Sequence, residues 1–445
     1  MAKIEKIGSF FSGIGEKVSE RTAERRMERQ RKREARQNAE SAAEEEVQST
    51  GQNRGQSAEN SGMTDLSEKL RQHQRKMRIR TAAVVAGVIV LAAGVITYRY
   101  VRVFHNYTIL STVENSEDAV TQYVSMGNNA LKCSPNGVTC VDKSGKVLWN
   151  TSFTMKEPLV DSSDSITAVA DRRGSNVYLF DKNGQLGTFD AEYTIVKMHV
   201  SSQGVVALIL EDGDTTWVNM YNSQGEVLVK NRTSMAESGY PIDMDISSDA
   251  TKMVVSFLGM DTENIVGKVV FYDFGSLGKS KTGNVVSTTE YSGHVVPQVT
   301  YLDDSYIVAY RDNGISFFSG SRVPEESVSI ETEQEIISVF GDSDYVGLVQ
   351  QNTSEDHDGK YLMQIYRKNG SKSTQIYFDI EYTSLKMEGD DIILYNASEL
   401  EIYSSNGSHK FSGTYEKEIK NVSKLDGSRK YSVQTTDSLD EIRIR

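Results

Sequence analysis

From about residue 105 to the C-terminus, hydrophobic and polar positions alternate in short runs. Val196, Met198 and Val200 alternate with Lys197 and His199, and Ile242, Met244 and Ile246 alternate with Asp243 and Asp245. Period-two alternation over a few residues, bounded by turn residues, predicts strands with one face toward a core. The strands also repeat. An apolar or aromatic strand end, a polar turn with glycine and a following strand recur as GVTCVDKSGKVLW, NVYLFDKNGQLGTF, WVNMYNSQGEVLV, KVVFYDFGSLG, GISFFSGSR, LMQIYRKNGSKSTQIYF and LEIYSSNGSHKFSG. Their glycines fall at 145, 184, 225, 275, 320, 370 and 407, at intervals of 39, 41, 50, 45, 50 and 37 residues. Spacing in the forties with four short strands per unit predicts a β-propeller. A pair of sandwiches or two small barrels would not be expected to keep one turn motif through seven units.

The ends of this region set the blade number. About three strands follow Gly407, and residues 107–113 form a lone strand before the first full set. Joining the spare strand to the incomplete unit closes the ring and removes exposed sheet edges. The expectation is an all-β, eight-bladed propeller over 106–445, with seven blades as the alternative.

The first hundred residues follow another pattern. Residues 81–98 carry no charge, and as a helix they would extend about 27 Å, close to the thickness of a hydrocarbon core. Arg71, Arg75, Lys76, Arg78 and Arg80 precede the run, whereas Arg99 and Arg102 follow it. This asymmetry predicts a single transmembrane helix over 81–101 with the N-terminus in the cytoplasm and the propeller outside the cell. Tyr98 and Tyr100 suit the membrane interface. Ahead of the span lie a charged tail with helical character (1–46), a flexible Gly/Ser/Asn/Gln linker (47–64) and a basic juxtamembrane segment (65–80). Within the tail, Ile4, Ile7, Phe10, Phe11, Ile14 and Val18 keep helical spacing, which fits an inner-leaflet lipid or protein partner.

Charge sharpens this division. The net charge is −13, yet residues 1–80 carry 18 basic against 13 acidic side chains and residues 106–445 carry 29 against 49. A body with that excess of acid is a poor partner for nucleic acid. The six histidines and two cysteines form no metal-binding motif, and no nucleophile elbow or phosphate loop stands out. In CSPNGVTC a symmetric two- or four-residue loop would set Cys133 opposite Cys140, just beyond the usual disulfide range, so that slight closure would allow a structural disulfide; two free buried thiols are the alternative. Asp243 and Asp245, on an innermost strand, are candidates for a ligand site facing the channel.

The run from Val141 to Trp149 resembles the blade motif of quinoprotein-type (PQQ-like) propellers, with Asp142, Gly145, Lys146 and Trp149 at the matching places. The resemblance implies eight blades and a Trp docked between blades. Trp217 is the sole other Trp, so the resemblance supports the architecture and argues against the quinone cofactor. The layout is also similar to uncharacterised single-pass, membrane-anchored propeller proteins of Gram-positive bacteria. The functional expectation is a non-catalytic binding or scaffold module for a protein, peptide or glycan outside the cell, without a cofactor. A degenerate quinoprotein-like or hydrolytic enzyme is one alternative. A structural factor in envelope assembly, working through the cytoplasmic tail, is another.

Overall fold

The computed structural model describes residues 102–445, except 115–121, 127–128, 143–145, 164–165, 237, 262–263 and 428, together with helical residues 77, 80 and 84–87. The expected tail and linker, and most of the juxtamembrane segment and span, lie outside the described residues. Among those described, no helix is long and apolar enough to cross a membrane. The chain divides into two compact units, 1–94 and 95–445.

The second unit holds eight four-stranded antiparallel sheets, numbered here as blades 1 to 8 in chain order. Blades 1 to 7 occupy 122–152, 158–190, 194–233, 240–292, 298–331, 336–378 and 384–414, and in each the strands run outward in sequence order. Blade 8 takes three strands from 419–444 and its outermost from Tyr107–Glu114, which pairs antiparallel with Ser438–Ile444. Eight sheets exclude the seven-bladed alternative.

Each blade is too thin to bury its own apolar faces, so the cores lie between blades. Among the described residues, seven clusters of buried side chains are each shared by two successive blades. Between blades 2 and 3, for example, Ala168, Val177 and Leu179 meet Ile195, Val206 and Leu208. Between blades 7 and 8, Ile393, Ile402 and Phe411 meet Val422, Tyr431 and Ile442.

The repeated sequence motif is the hairpin between the third and fourth strands of blades 1 to 7. In all seven the pairing slips by one residue near this turn, between Cys140 and Val141, Leu179 and Phe180, and so on to Ile402 and Tyr403. A bulge placed there bends the outer strand and raises its twist. The turn itself abuts the preceding blade. At Gly225 (φ 83°) a Cβ would lie 2.4 Å from the Cβ of Phe189 in blade 2. Glycine there serves both the left-handed backbone and the close approach.

Polar side chains close the same turns. Asp142 Oδ1 accepts from the Lys146 amide at 3.0 Å, and Asn222 Oδ1 accepts from those of Gln224 and Glu226 at 3.0 and 2.9 Å. Trp149 stacks on Phe180 of blade 2 with ring centroids 5.7 Å apart, and its indole N–H donates to the Lys182 carbonyl at 3.2 Å. Gly145 lies outside the described residues.

The cysteine hairpin departs from expectation. Its loop is Pro135-Asn136, with Ser134 paired to Gly137, so Cys133 faces Val138 and Cys140 faces Leu131. Proline suits the second position of a four-residue turn, and the Ser134 hydroxyl accepts from the Asn136 amide at 3.2 Å. Moving the turn centre by one residue separates the cysteines diagonally, to a spacing of about 7–8 Å and out of disulfide range. Both are buried free thiols in the core between blades 1 and 2, and burial pushes Cys133 up to about 12.

Two outcomes follow. Folded protein should resist a thiol reagent, whereas unfolding without reductant should release two thiols per chain; none released would mean a bond. Gly225→Ala should cost about 2 kcal/mol in denaturant unfolding. Gly283→Ala, with similar φ but nothing within 4 Å of its Cβ, should cost about 1 kcal/mol.

Candidate functional site

An innermost strand has a ladder partner on one side only, so amides on its channel edge need another acceptor. In this ring carboxylates from the preceding blade supply it. Asp161 of blade 2 accepts from the Val200 amide of blade 3 at 2.7 Å. Asp243 and Asp245 of blade 4 accept from the Val299 and Tyr301 amides of blade 5 at 2.9 and 2.8 Å. Glu388 of blade 7 accepts from the Lys424 amide of blade 8. Lys197 of blade 3 adds a charged contact, its Nζ 2.7 Å from Asp243 Oδ1.

His199 lies between two of these carboxylates, its Nδ1 3.6 Å from Asp161 and 3.7 Å from Asp245. Burial pushes the Asp245 carboxyl up to about 6, against the opposing pull of His199 and two backbone amides. Burial pulls His199 down, but Asp245, Asp161 and Asp243 outweigh it and hold the imidazole above its usual value. The two aspartates singled out from sequence therefore sit on an innermost strand with their oxygens engaged between blades. Asp161 was missed because its strand, PLVDSS, does not alternate cleanly; Lys197 and His199 were visible as the polar half of an alternating strand. Among the described residues no group of three or more His, Cys, Asp or Glu could hold a metal ion.

The junction of blades 8 and 1 is built differently. Among the described residues it has no shared apolar cluster, and a cavity of about 290 Å³ occupies it. Asn129 and Tyr123 line it from blade 1, and Asn421, Ser432, Gln434 and Glu441 from blade 8. Lys430 Nζ lies 2.6 Å from Glu441 at its wall. Nearby, buried Asp391 of blade 7 accepts from the Tyr431 hydroxyl at 2.7 Å and pairs with Lys410 and Lys424. Those partners outweigh burial and hold its carboxyl below the usual range. This fixes the blade 8 strands that form one wall of the cavity.

The channel cluster has a definite pH signature. Asp245 and His199 both have folded values above their unfolded ones, so their stabilising contribution is present in mild acid and is lost as pH rises through about 6 and beyond. Urea unfolding should show higher stability at pH 5 than at pH 8. In Asp245→Asn the difference should shrink by up to about 2 kcal/mol. A wild-type profile that rises between those pH values would contradict the assignment.

The fold has solved counterparts. BamB from Moraxella catarrhalis aligns with a TM-score of 0.50 at 12% identity, covering 76% of this chain and all of that one. A eukaryotic initiation factor gives the same TM-score and identity over 76% of this chain and 87% of its own. At such identities the likeness is one of fold. No curated protein matches the sequence significantly. The profile of a family of unknown function, DUF5711, matches residues 100–444, and the chain belongs to that family.

Proposed function

We propose that the protein is a non-catalytic binding propeller, tethered to the cell membrane by residues 81–101 with its ring outside the cell, and that the junction of blades 8 and 1 is its binding site. The observation that carries this reading is the cavity. Elsewhere, among the described residues, each pair of neighbouring blades meets through a buried apolar cluster, whereas here amides, hydroxyls and an ion pair join Val113, Val124, Val141 and Leu439 around an open space of about 290 Å³. A pocket with convergent polar groups on rigid strands suits a polar side chain of a protein or peptide, or a sugar. The channel carboxylates, by contrast, are consumed in holding blades together, which weighs against an enzyme working from the channel. The PQQ-like likeness enters as architecture only, with no quinone in the reading.

Support for the tether comes from the uncharged run 81–98 and its basic flank. Val84 and Val85, helical residues of that run, are exposed in the isolated chain, as lipid-facing positions would be.

A photo-crosslinking residue at Ala130, on the cavity wall, tests the site in intact cells. It should capture a partner that a probe at Gly293, across the ring, does not. Ser432→Trp, which fills the cavity, should abolish capture while leaving the unfolding midpoint unchanged. Equal capture from both positions would overturn the assignment. Protease added to intact cells should degrade the propeller; protection would place it inside.

A further inference from the structure

The antiparallel order of the blades gives the ring two unlike ends. Turns between the third and fourth strands lie at one end, and turns between the second and third lie at the other. The chain enters at the first of these. The Phe104 amide donates to the Lys410 carbonyl at 3.0 Å, where the outermost strand of blade 7 begins, and Arg445 N–H donates to Asn106 at 2.7 Å. Strand Tyr107–Glu114 then runs away from this end.

At the entry end, the first residues of the outermost strands differ around the ring. Blade 1 presents Val147 and Leu148, blade 2 Leu186, and blade 3 Val227 and Leu228, all exposed by 42–55%. Blade 8, beside blade 1, adds exposed Ile109 and Leu110. The matching places are the half-buried Val285 and Val286 in blade 4, then Glu326 and Ser327 in blade 5, Lys372 and Ser373 in blade 6 and His409 and Lys410 in blade 7. Leu148, Leu186 and Leu228 are each the extra residue of the bulge, which turns them outward instead of into a blade junction. Exposed apolar side chains repeated along one arc mark a surface that is covered in use.

Charge indicates what covers it. Exposed Lys146 and Lys182 flank the arc beside exposed Glu226 and Asp426, and Lys279 and Lys281 extend it at the blade 4 turn. The acidic runs 211–214 and 355–358 both lie in turns at the opposite end. Exposed apolar side chains with lysines beside them, at the end of the ring where residue 104 enters, match an anionic lipid surface.

We infer that the entry-end rim of blades 8, 1, 2 and 3 rests on the membrane, with Leu148, Leu186 and Leu228 dipping into the headgroup layer. The ring would then stand tilted, its acidic end and the rim of blades 5 and 6 turned to solvent. This rests on the reading that residues 81–101 span the bilayer.

The full chain should be reconstituted into phosphatidylcholine–phosphatidylglycerol vesicles that carry bromine-labelled lipids. Leu148→Cys, Leu228→Cys, Lys372→Cys and Glu355→Cys variants would each be labelled with an environment-sensitive fluorophore, the native thiols being buried. Probes at 148 and 228 should be quenched several-fold more than those at 372 and 355, and high salt should reduce the difference. Equal quenching at all four positions in carbonate-resistant protein would overturn the arc while leaving the span intact. Protein extracted by carbonate would overturn both. Emission at 148 that changes with protein density instead of brominated lipid would assign the arc to a second copy and likewise overturn the inference.

Discussion

The constraint from which the architecture follows is that a single four-stranded blade cannot cover its own faces. Each sheet leaves apolar side chains on both sides, and only a neighbouring blade of similar twist can bury them. Stability therefore resides at the junctions, in seven clusters each drawn from two successive blades. The turn glycines and their bulges act at the same boundaries: Gly225 seats a hairpin against Phe189, and Trp149 lies over Phe180. The ring holds only if its last blade is completed. Blade 8 achieves this by receiving Tyr107–Glu114, so closure of the sheet is also attachment of whatever precedes residue 102.

The channel edge shows the same logic with polar groups. Amides with no strand partner are satisfied by carboxylates from the neighbouring blade, and each such bond both caps a donor and fixes the angle between blades. Placing Asp161, Asp243, Asp245 and His199 close together has an electrostatic consequence: burial favours the protonated form of Asp245, and the surrounding carboxylates favour protonated His199 against the pull of burial. The stitching is structural, and it makes the ring sensitive to pH near neutrality.

Legibility in the sequence followed how local each signal is. The third-strand hairpin was readable because glycine is demanded by a turn within a few residues, and it recurs in the seven blades built from contiguous chain. The eighth blade shows no such motif, since its fourth strand comes from the other end of the chain; it could be counted only from leftover strands. The cysteine pairing failed on a single residue of turn register, which Ser134 and Pro135 decide and the glycine of the Asn136-Gly137 pair obscured. Asp243 and Asp245 were visible as polar positions on an inner strand, but their partners Val299 and Tyr301 lie 56 residues away. The cavity between blades 8 and 1 was illegible for the same reason, because its walls come from both ends of the domain.

That origin gives the junction its character. The other seven junctions join blades adjacent in sequence, whereas this one joins the first blade to the last. Its walls then need not be filled with apolar side chains for the ring to stand, because the strand exchanged into blade 8 already links the two ends. Asn421, Ser432 and Gln434 can therefore face a space here that Leu and Ile fill elsewhere. A ring that leaves one junction unfilled gives up some burial at that place and gains a pocket walled by rigid strands.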